Sequence, residues 1–214
     1  PQKDSITEID ISLLDEISPQ PFVFRQEKAM QIASTISEIG IVDPVLVRKK
    51  KNDRYDIIAG RHRVAAAKIA DLKTVPCIIK DVNKDIAELI LISTNTDRNN
   101  DYSYSELAQA YKQQADLLKK MGSNAPSIKE IAEKNNTTRK QIQRYIRLTE
   151  LIPTLLKLVD SKELAFVAGV ELSYLSKDNQ KALFSYMLNN GTKLSIEQCK
   201  KIRKVAENNE LELA

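Results

Sequence analysis

The sequence predicts an α+β chain, with a mixed α/β domain first and an all-α domain after it. Three observations carry this. Short β-rich runs alternate with helix-forming stretches up to about residue 103, no convincing strand follows, and the turn cluster Gly122-Ser123-Asn124-Ala125-Pro126 punctuates a half built only from helical patterns. The domains are expected at 1–103 and 104–214, each long enough to bury its own core.

Each element of the first half has its own signal. Ile6-Thr7-Glu8-Ile9-Asp10-Ile11 alternates apolar and polar residues as a half-buried strand does. From Glu27 to Ile39, apolar residues at Ala29, Ile32, Ala33, Ile36 and Ile39 make one helix stripe, which Gly40 ends. Pro44 to Arg48 and Arg54 to Ala59 read as two strands joined by the polar hairpin Lys49 to Asp53. Gly60 breaks the second strand, and the Ala-rich run Arg61 to Ala70 favours helix. Val75 to Ile79 returns to strand, and Asp85 to Ile92 reads as a helix entering the polar stretch Ser93 to Asn100. In the second half, Ser105 to Met121 is a long amphipathic helix; shorter ones are expected at 127–134, 138–148, 153–161, 165–175, 178–190 and 195–208.

Composition excludes several classes. The 214 residues carry 33 Lys+Arg, 29 Asp+Glu and a single His. No apolar run approaches the roughly 20 residues that cross a bilayer, so no membrane association is expected. Cys77 and Cys199 lie far apart and in no Cys/His cluster, which argues against a disulfide framework or a structural zinc site. Charge divides unevenly: residues 1–103 hold 15 basic and 16 acidic residues, a net of −1, and residues 104–214 hold 18 and 13, a net of +5. A basic half beside a neutral one points to a nucleic-acid-facing module.

The basic half contains a helix-turn-helix pattern at 127–148. Ser127 and Glu130 form a capping box before the first helix. Ala132 is small enough for two helices to touch, and Asn136, four positions on, suits a left-handed turn. Ile142 and Ile146 suit the inner face of the second helix. Its outer face presents Arg139, Lys140, Gln141, Gln143, Arg144 and Arg147 after Thr138, and no acid occurs between Lys134 and Thr149. Arg and Lys neutralise phosphates; Arg and Gln are also the side chains that read guanine and adenine edges.

The first half carries an anion signal. In Ile57-Ile58-Ala59-Gly60-Arg61-His62-Arg63-Val64, a glycine lets the chain approach a ligand closely, and the helix start presents backbone N–H groups. Basic side chains at a helix start oppose the macrodipole unless an anion sits before them. Arg98, after Thr94-Asn95, supplies a second basic point. A His62 ring that bonded phosphate would bind it more tightly as pH falls toward about 6.5.

These strings occur together in a recognisable order. Pro21-Phe22-Val23-Phe24-Arg25, Pro44-Val45-Leu46-Val47-Arg48, Tyr55 to Arg63, Asn95-Thr96-Asp97-Arg98 and Gln141 to Leu148 resemble the ParB/RepB-type partition proteins, the centromere-binding family, from about Ile6 to about Ile202. Gln141 to Leu148 and Val170 to Leu175 look most like the branch found on plasmids and conjugative elements. The resemblance implies a ParB/sulfiredoxin-like first domain and a helix-turn-helix domain that binds a palindromic site on double-stranded DNA as a homodimer. It also implies CTP in the first domain as the switch of a DNA clamp. A ParA-type ATPase is an implied partner, through segments not evident here, and the implied location is cytoplasmic and nucleoid- or plasmid-associated.

The family's phosphate motifs, Gly-Glu-Arg-Arg-x-Arg and Glu-Asn-x-x-Arg, are matched at Gly60, Arg63, Asn95 and Arg98, and Arg61, His62, Ala65 and Thr94 depart from them. The implied nucleotide site is therefore Gly60, Arg61, His62, Arg63, Thr94, Asn95 and Arg98. Arg61 and Thr94 replace acids that would help to hold Mg2+ or activate water, so turnover is expected to be slow or absent. Sulfiredoxin has Gly-Cys-His-Arg in place of Gly60-Arg61-His62-Arg63; with Arg61 at the thiol position its chemistry is not available. The resemblance also implies a DNA contact after the recognition helix, in Lys162 to Gly169, where Lys162 is the only base and Leu164, Phe166 and Val167 read as core. A transcriptional regulator on the same scaffold is the alternative. A ParB-like nuclease is the more remote one, because the loops concerned are basic where a metal nuclease wants carboxylates.

Overall fold

The computed structural model describes residues 5–96, 102–122 and 127–207. The chain divides into two compact units, residues 1–97 and 98–214.

The first unit is a five-stranded sheet with helices. β1 (Ile6–Asp10), a 3-10 turn (Ile11–Leu13), β2 (Leu14–Glu16) and α1 (Gln26–Ile39) come first, followed by β3 (Val45–Lys49), β4 (Tyr55–Ala59), α2 (Arg61–Ile69), β5 (Thr74–Lys80) and α3 (Lys84–Thr96). The strand order is β1-β5-β3-β4-β2. β1 runs antiparallel to β5, with Ile6 opposite Ile78, and β5 runs parallel to β3, with Val45 opposite Cys77. The β3–β4 hairpin closes through the Lys50 N–H donating to the Arg54 carbonyl at 2.7 Å, with Asp53 left-handed at φ 56°. Ile9, Ile11, Leu14, Val45, Val47, Ile57, Val64, Val75 and Cys77 fill the core, and α1 and α2 meet over Ala33, Ile36 and Ala66.

Two expectations change here. Ile6 is 62% exposed while Ile9 and Ile11 are buried, because a spacing of three puts Ile6 on the opposite face of the strand. β2 was not predicted: three residues are too few for a period. It is held parallel to β4 partly by charge. Arg54 donates to Asp15 from Nε (2.8 Å) and Nη2 (2.5 Å), and Lys50 donates at 2.9 Å. These two cations hold the Asp15 carboxyl well below the ordinary carboxylate range.

The second unit is all helical: α4 (Tyr104–Lys120), α5 (Ser127–Lys134), α6 (Arg139–Leu148), α7 (Pro153–Asp160), α8 (Phe166–Leu172), α9 (Lys177–Asn190) and α10 (Ile196–Glu207). Its core gathers Leu148, Leu151, Leu155, Val159, Leu164, Ala168, Leu172, Leu183 and Cys199. α7 and α8 approach so closely that a Cβ on Gly169 would lie 2.6 Å from Val159 Cγ2. One buried polar side chain pins the segment after α6. Gln180 Oε1 accepts from the Ile152 N–H at 2.8 Å, and its Nε2 donates to the carbonyls of Glu150 and Leu175. Both cysteines are free and buried, and burial pushes each thiol up to about 11, which leaves them inert.

Candidate nucleic-acid and nucleotide sites

α5, its turn and α6 form the helix-turn-helix that the spacing predicts. The turn is a Schellman end. Asn136 is left-handed at φ 48°, the Thr137 N–H donates to the Ala132 carbonyl at 2.9 Å, and the Asn136 N–H donates to Glu133 at 3.3 Å. Ile131, Ala132 and Ile142 are buried where the helices meet. Thr138 then caps α6, its hydroxyl accepting from the Gln141 N–H at 3.1 Å. Tyr145 anchors the inner face against other helices, with ring centroids 5.4 Å from Tyr111 and 5.0 Å from Phe166. Burial first, then Tyr104, raises its pKa. Ile146, expected inside with Ile142, is only half buried and lines a shallow cleft with Lys112, Ile128 and Gln143.

The polar face of α6 splits into two groups. Arg139, Lys140 and Gln143 are exposed and Arg144 is half exposed; none of the four has a side-chain partner among the described residues. Gln141 hydrogen-bonds the Tyr145 side chain. Arg147, expected at a phosphate, has part of its guanidinium engaged inside the unit. Nη2 donates to the Ser173 carbonyl at 2.8 Å and Nε to Ser173 Oγ at 3.2 Å, and its Cζ stands 4.2 Å from the Tyr174 ring centroid. Helical spacing put Arg147 on the outer face; a partner 26 residues away turns it inward. Lys162 is exposed at a left-handed position (φ 63°) after α7, and Leu164 beside it is buried.

In the first unit, Gly60 is the left-handed N-cap of α2 (φ 108°) and makes no side-chain cap. As at any helix start, the first amides of α2 lie ahead of the helix's own carbonyls. Only a glycine suits the site, since a Cβ there would also meet Arg63 Nε and Nη2 at 3.2 Å. Arg63 Nη1 donates to the carbonyls of Asp43 (2.5 Å) and Pro44 (2.8 Å). Arg61 braces another loop, donating to Gln20 Oε1 (2.8 Å), the Phe22 carbonyl (2.9 Å) and the Val23 carbonyl (2.8 Å). His62 stacks on Phe24 with centroids 4.9 Å apart, and its Nε2 accepts from the Arg25 N–H at 3.3 Å. The 20–25 loop is thus tied to the start of α2 by side chains whose sequence separation left no local signal.

These contacts change the reading of His62. Burial first, then the charges of Arg61, Lys28 and Arg25, push its pKa down to about 4. The imidazole is neutral at ordinary pH, so the expected gain in phosphate affinity near pH 6.5 has no basis in this arrangement. Thr94 and Asn95, placed in a polar stretch by the sequence, lie in the last turn of α3. Thr94 Oγ1 donates to the Ile90 and Leu91 carbonyls and Asn95 Nδ2 to Leu91. α3 packs on β4, the strand that runs into Gly60. Arg98 lies outside the described residues. No group of three or more His, Cys, Asp or Glu that could hold a metal occurs among the described residues, and Arg61 stands at the position of the family's acid.

Comparison with known proteins decides the family. Residues 1–96 match the ParB N-terminal domain. Over 202 residues the chain is 32% identical to the probable chromosome-partitioning protein ParB of Campylobacter jejuni, covering 92% of this chain and 69% of that protein. The chain belongs to the ParB family. The ParB of Borreliella burgdorferi is 31% identical over 198 residues, covering 90% of this chain and 71% of its own. Among solved structures, the C-terminally truncated ParB of Caulobacter crescentus complexed to the centromeric parS site is similar over 94% of this chain and all of that one, with 25% identity and a TM-score of 0.62. The ParB relatives named here are chromosomal or derive from a chromosomal centromere complex, and the finer placement in a plasmid branch goes no further than the sequence resemblance.

Proposed function

We propose that this ParB-family chain is a site-specific DNA-binding partition protein whose α6 enters the major groove of a palindromic, centromere-like site. One observation carries the reading. On a capped helix fixed by a helix-turn-helix and an aromatic cluster, Arg139, Lys140, Gln143 and Arg144 have no side-chain partner among the described residues. Gln143 and Arg144 are suited to base edges, and Arg139, Lys140 and the exposed Lys162 to phosphates. Thr138 and Gln141 shape the helix start. A palindrome needs two such helices, hence a homodimer on DNA. The Caulobacter relative solved on parS supports this reading.

In the first unit the same proposal places a CTP-type nucleotide before α2, with Gly60, Arg61, His62 and Arg63 on one side and Thr94 and Asn95 on the other; Arg98, assigned to the same site by the sequence resemblance, lies outside the described residues. A helix start with a glycine N-cap fits a phosphate. The nucleotide would serve as a switch of a DNA clamp rather than as a substrate for fast turnover, and a ParA-type ATPase is the corresponding partner. No helix among the described residues is long and apolar enough to cross a membrane. The location that goes with the reading is cytoplasmic and nucleoid- or plasmid-associated.

The test is selection of duplexes from a random library by the full chain, then anisotropy on the enriched site and a scrambled one. Enrichment of a palindrome, with discrimination removed in a Gln143→Ala/Arg144→Ala variant, is expected. Equal binding of both duplexes by the native chain overturns the reading. Calorimetric titration of CTP against native chain and Arg63→Ala tests the nucleotide, and equal affinity in both removes it.

A further inference from the structure

We propose that Tyr174 is a positioning residue for DNA recognition: by holding the Arg147 guanidinium it fixes the C-terminal end of the recognition helix relative to α8 and α10. The inference rests on the DNA-binding reading of α6.

Tyr174 is 45% exposed, yet two guanidinium groups stand over its ring. Arg147 Cζ is 4.2 Å from the centroid and Arg203 Cζ, from α10, is 3.6 Å. Neither arginine rests on the ring alone. Arg147 also donates to Ser173 Oγ and to the Ser173 carbonyl, and the buried Ser173 hydroxyl donates onward to Val170 at 2.6 Å. Arg203 pairs with Glu171 at 3.1 Å and Glu207 at 2.7 Å. A phosphate contact needs no such arrangement. Arg139 is exposed with no side-chain partner among the described residues, whereas the Arg147 guanidinium is turned onto a ring and a carbonyl of its own unit.

The physical consequence is a division of labour along α6. Base reading demands side chains held to about 0.5 Å, whereas phosphate contacts tolerate displacement. α6 is held near its start by the Thr138 cap, along its inner face by Ile142 and Tyr145, and at its end by Arg147. Releasing Arg147 would free the last turn and at the same time expose one more mobile cation. Specific affinity should then fall while non-specific affinity does not, which is the opposite of what loss of a phosphate contact does.

The experiment measures affinity of the full chain for a duplex enriched from a random library and for its scrambled version, across a salt series. Tyr174→Leu keeps apolar bulk and removes the ring's attraction for cations; Tyr174→Phe keeps the ring. We expect Tyr174→Leu to weaken specific binding by up to about five- to ten-fold, the strength of the partly exposed cation–π contacts setting the ceiling of what pre-organisation can contribute. Non-specific affinity should be unchanged or higher, with a salt slope no shallower than native, and Tyr174→Phe should behave as native. Arg147→Ala should reproduce the specific loss without lowering the salt slope. A salt slope lower by about one in Arg147→Ala, with equal loss on both duplexes, would make Arg147 a phosphate contact and overturn the proposal. So would native-like specific affinity in Tyr174→Leu, even with a lower melting temperature. If the native chain enriches no duplex, the DNA-binding reading itself fails, and the proposal falls with it.

Discussion

Gly169 tests the packing that supports the recognition helix. It lies within α8, its N–H donating to the Ala165 carbonyl at 2.9 Å, so its backbone suits any residue. Helix propensity alone makes Gly169→Ala favourable by about 1 kcal/mol. Packing opposes it. The new methyl would sit 2.6 Å from Val159 Cγ2, 3.3 Å from Leu148 Cδ2 and 3.5 Å from Leu151 Cδ1, where apolar carbons prefer about 3.5–4.0 Å. Val159 is fully buried and β-branched, with one strongly preferred rotamer in a helix, so the helices must separate instead. Overpacking of this kind costs about 1–3 kcal/mol. With no slack in either wall the upper end applies, and a net loss of about 1–2 kcal/mol is expected after the propensity gain. That lowers the melting temperature by roughly 2–4 °C for each kcal/mol in a chain of this size. Leu148 ends α6, so the displacement also reaches the recognition helix. Thermal and urea unfolding of native, Gly169→Ala, Val159→Ala and the double variant give the cycle. In the Val159→Ala background, the Gly169→Ala change should become neutral or stabilising. A Gly169→Ala chain that melts at or above the native temperature refutes the argument.

Three further outcomes follow from side-chain surroundings. Arg144→Ala should cost about 1–3 kcal/mol of specific binding and flatten discrimination, while Arg139→Ala or Lys140→Ala should lower the salt slope by about one each, read by anisotropy. His62 has a folded pKa of about 4, below its unfolded value of about 6.5. The unfolded chain therefore takes up the proton first, and the stability held above pH 6.5 should be lost as pH falls toward 4. His62→Gln should flatten that part of the profile, and a native profile level between pH 6.5 and 4 would contradict the burial. Asp15 is likewise depressed by Arg54 and Lys50, so its contribution is present above about pH 3.9 and lost below it. The stability gap between native chain and Asp15→Asn, measured by urea unfolding, should be open at pH 7 and narrow as the pH drops below 4.

What could be read from the sequence was what neighbours decide. The helix-turn-helix is local: Ala132, Asn136, Thr138 and Ile142 lie within ten residues, and each occupies the position its stereochemistry suits. The β3–β4 hairpin and the Gly60 break were legible for the same reason. Two features were not. α3 runs past Ile92 to Thr96 because Thr94 and Asn95 return their side chains to carbonyls one turn back, which lets polar residues continue a helix. Ile146, at correct helical spacing from Ile142, is only half buried, because burial depends on what lies opposite and α6 gives its deepest contacts to Ile142 and Leu148.

Arginine exposes the limit of face-counting most clearly. Helical spacing fixes where a Cα points, but an Arg side chain is long enough to leave the face it starts from. Arg147 does so toward Ser173, and Arg61 and Arg63 do so toward the 20–23 and 43–44 carbonyls. This matters for the conflict seen at the start of α2, where basic residues meet the positive end of a helix. The bonds that Arg61 Nη1 and Nη2 and Arg63 Nη1 make to neutral carbonyls do not remove the charge. The cationic field should therefore persist once the loops are braced, and His62 registers it. Beyond burial, its pKa is lowered by Arg61, Lys28 and Arg25, the first on the opening turn of α2, the others on the opening turn of α1 and just before it. Local packing directs these arginines onto neutral carbonyls of the neighbouring loops. The proposed nucleotide before α2 would meet this field and the helix start together.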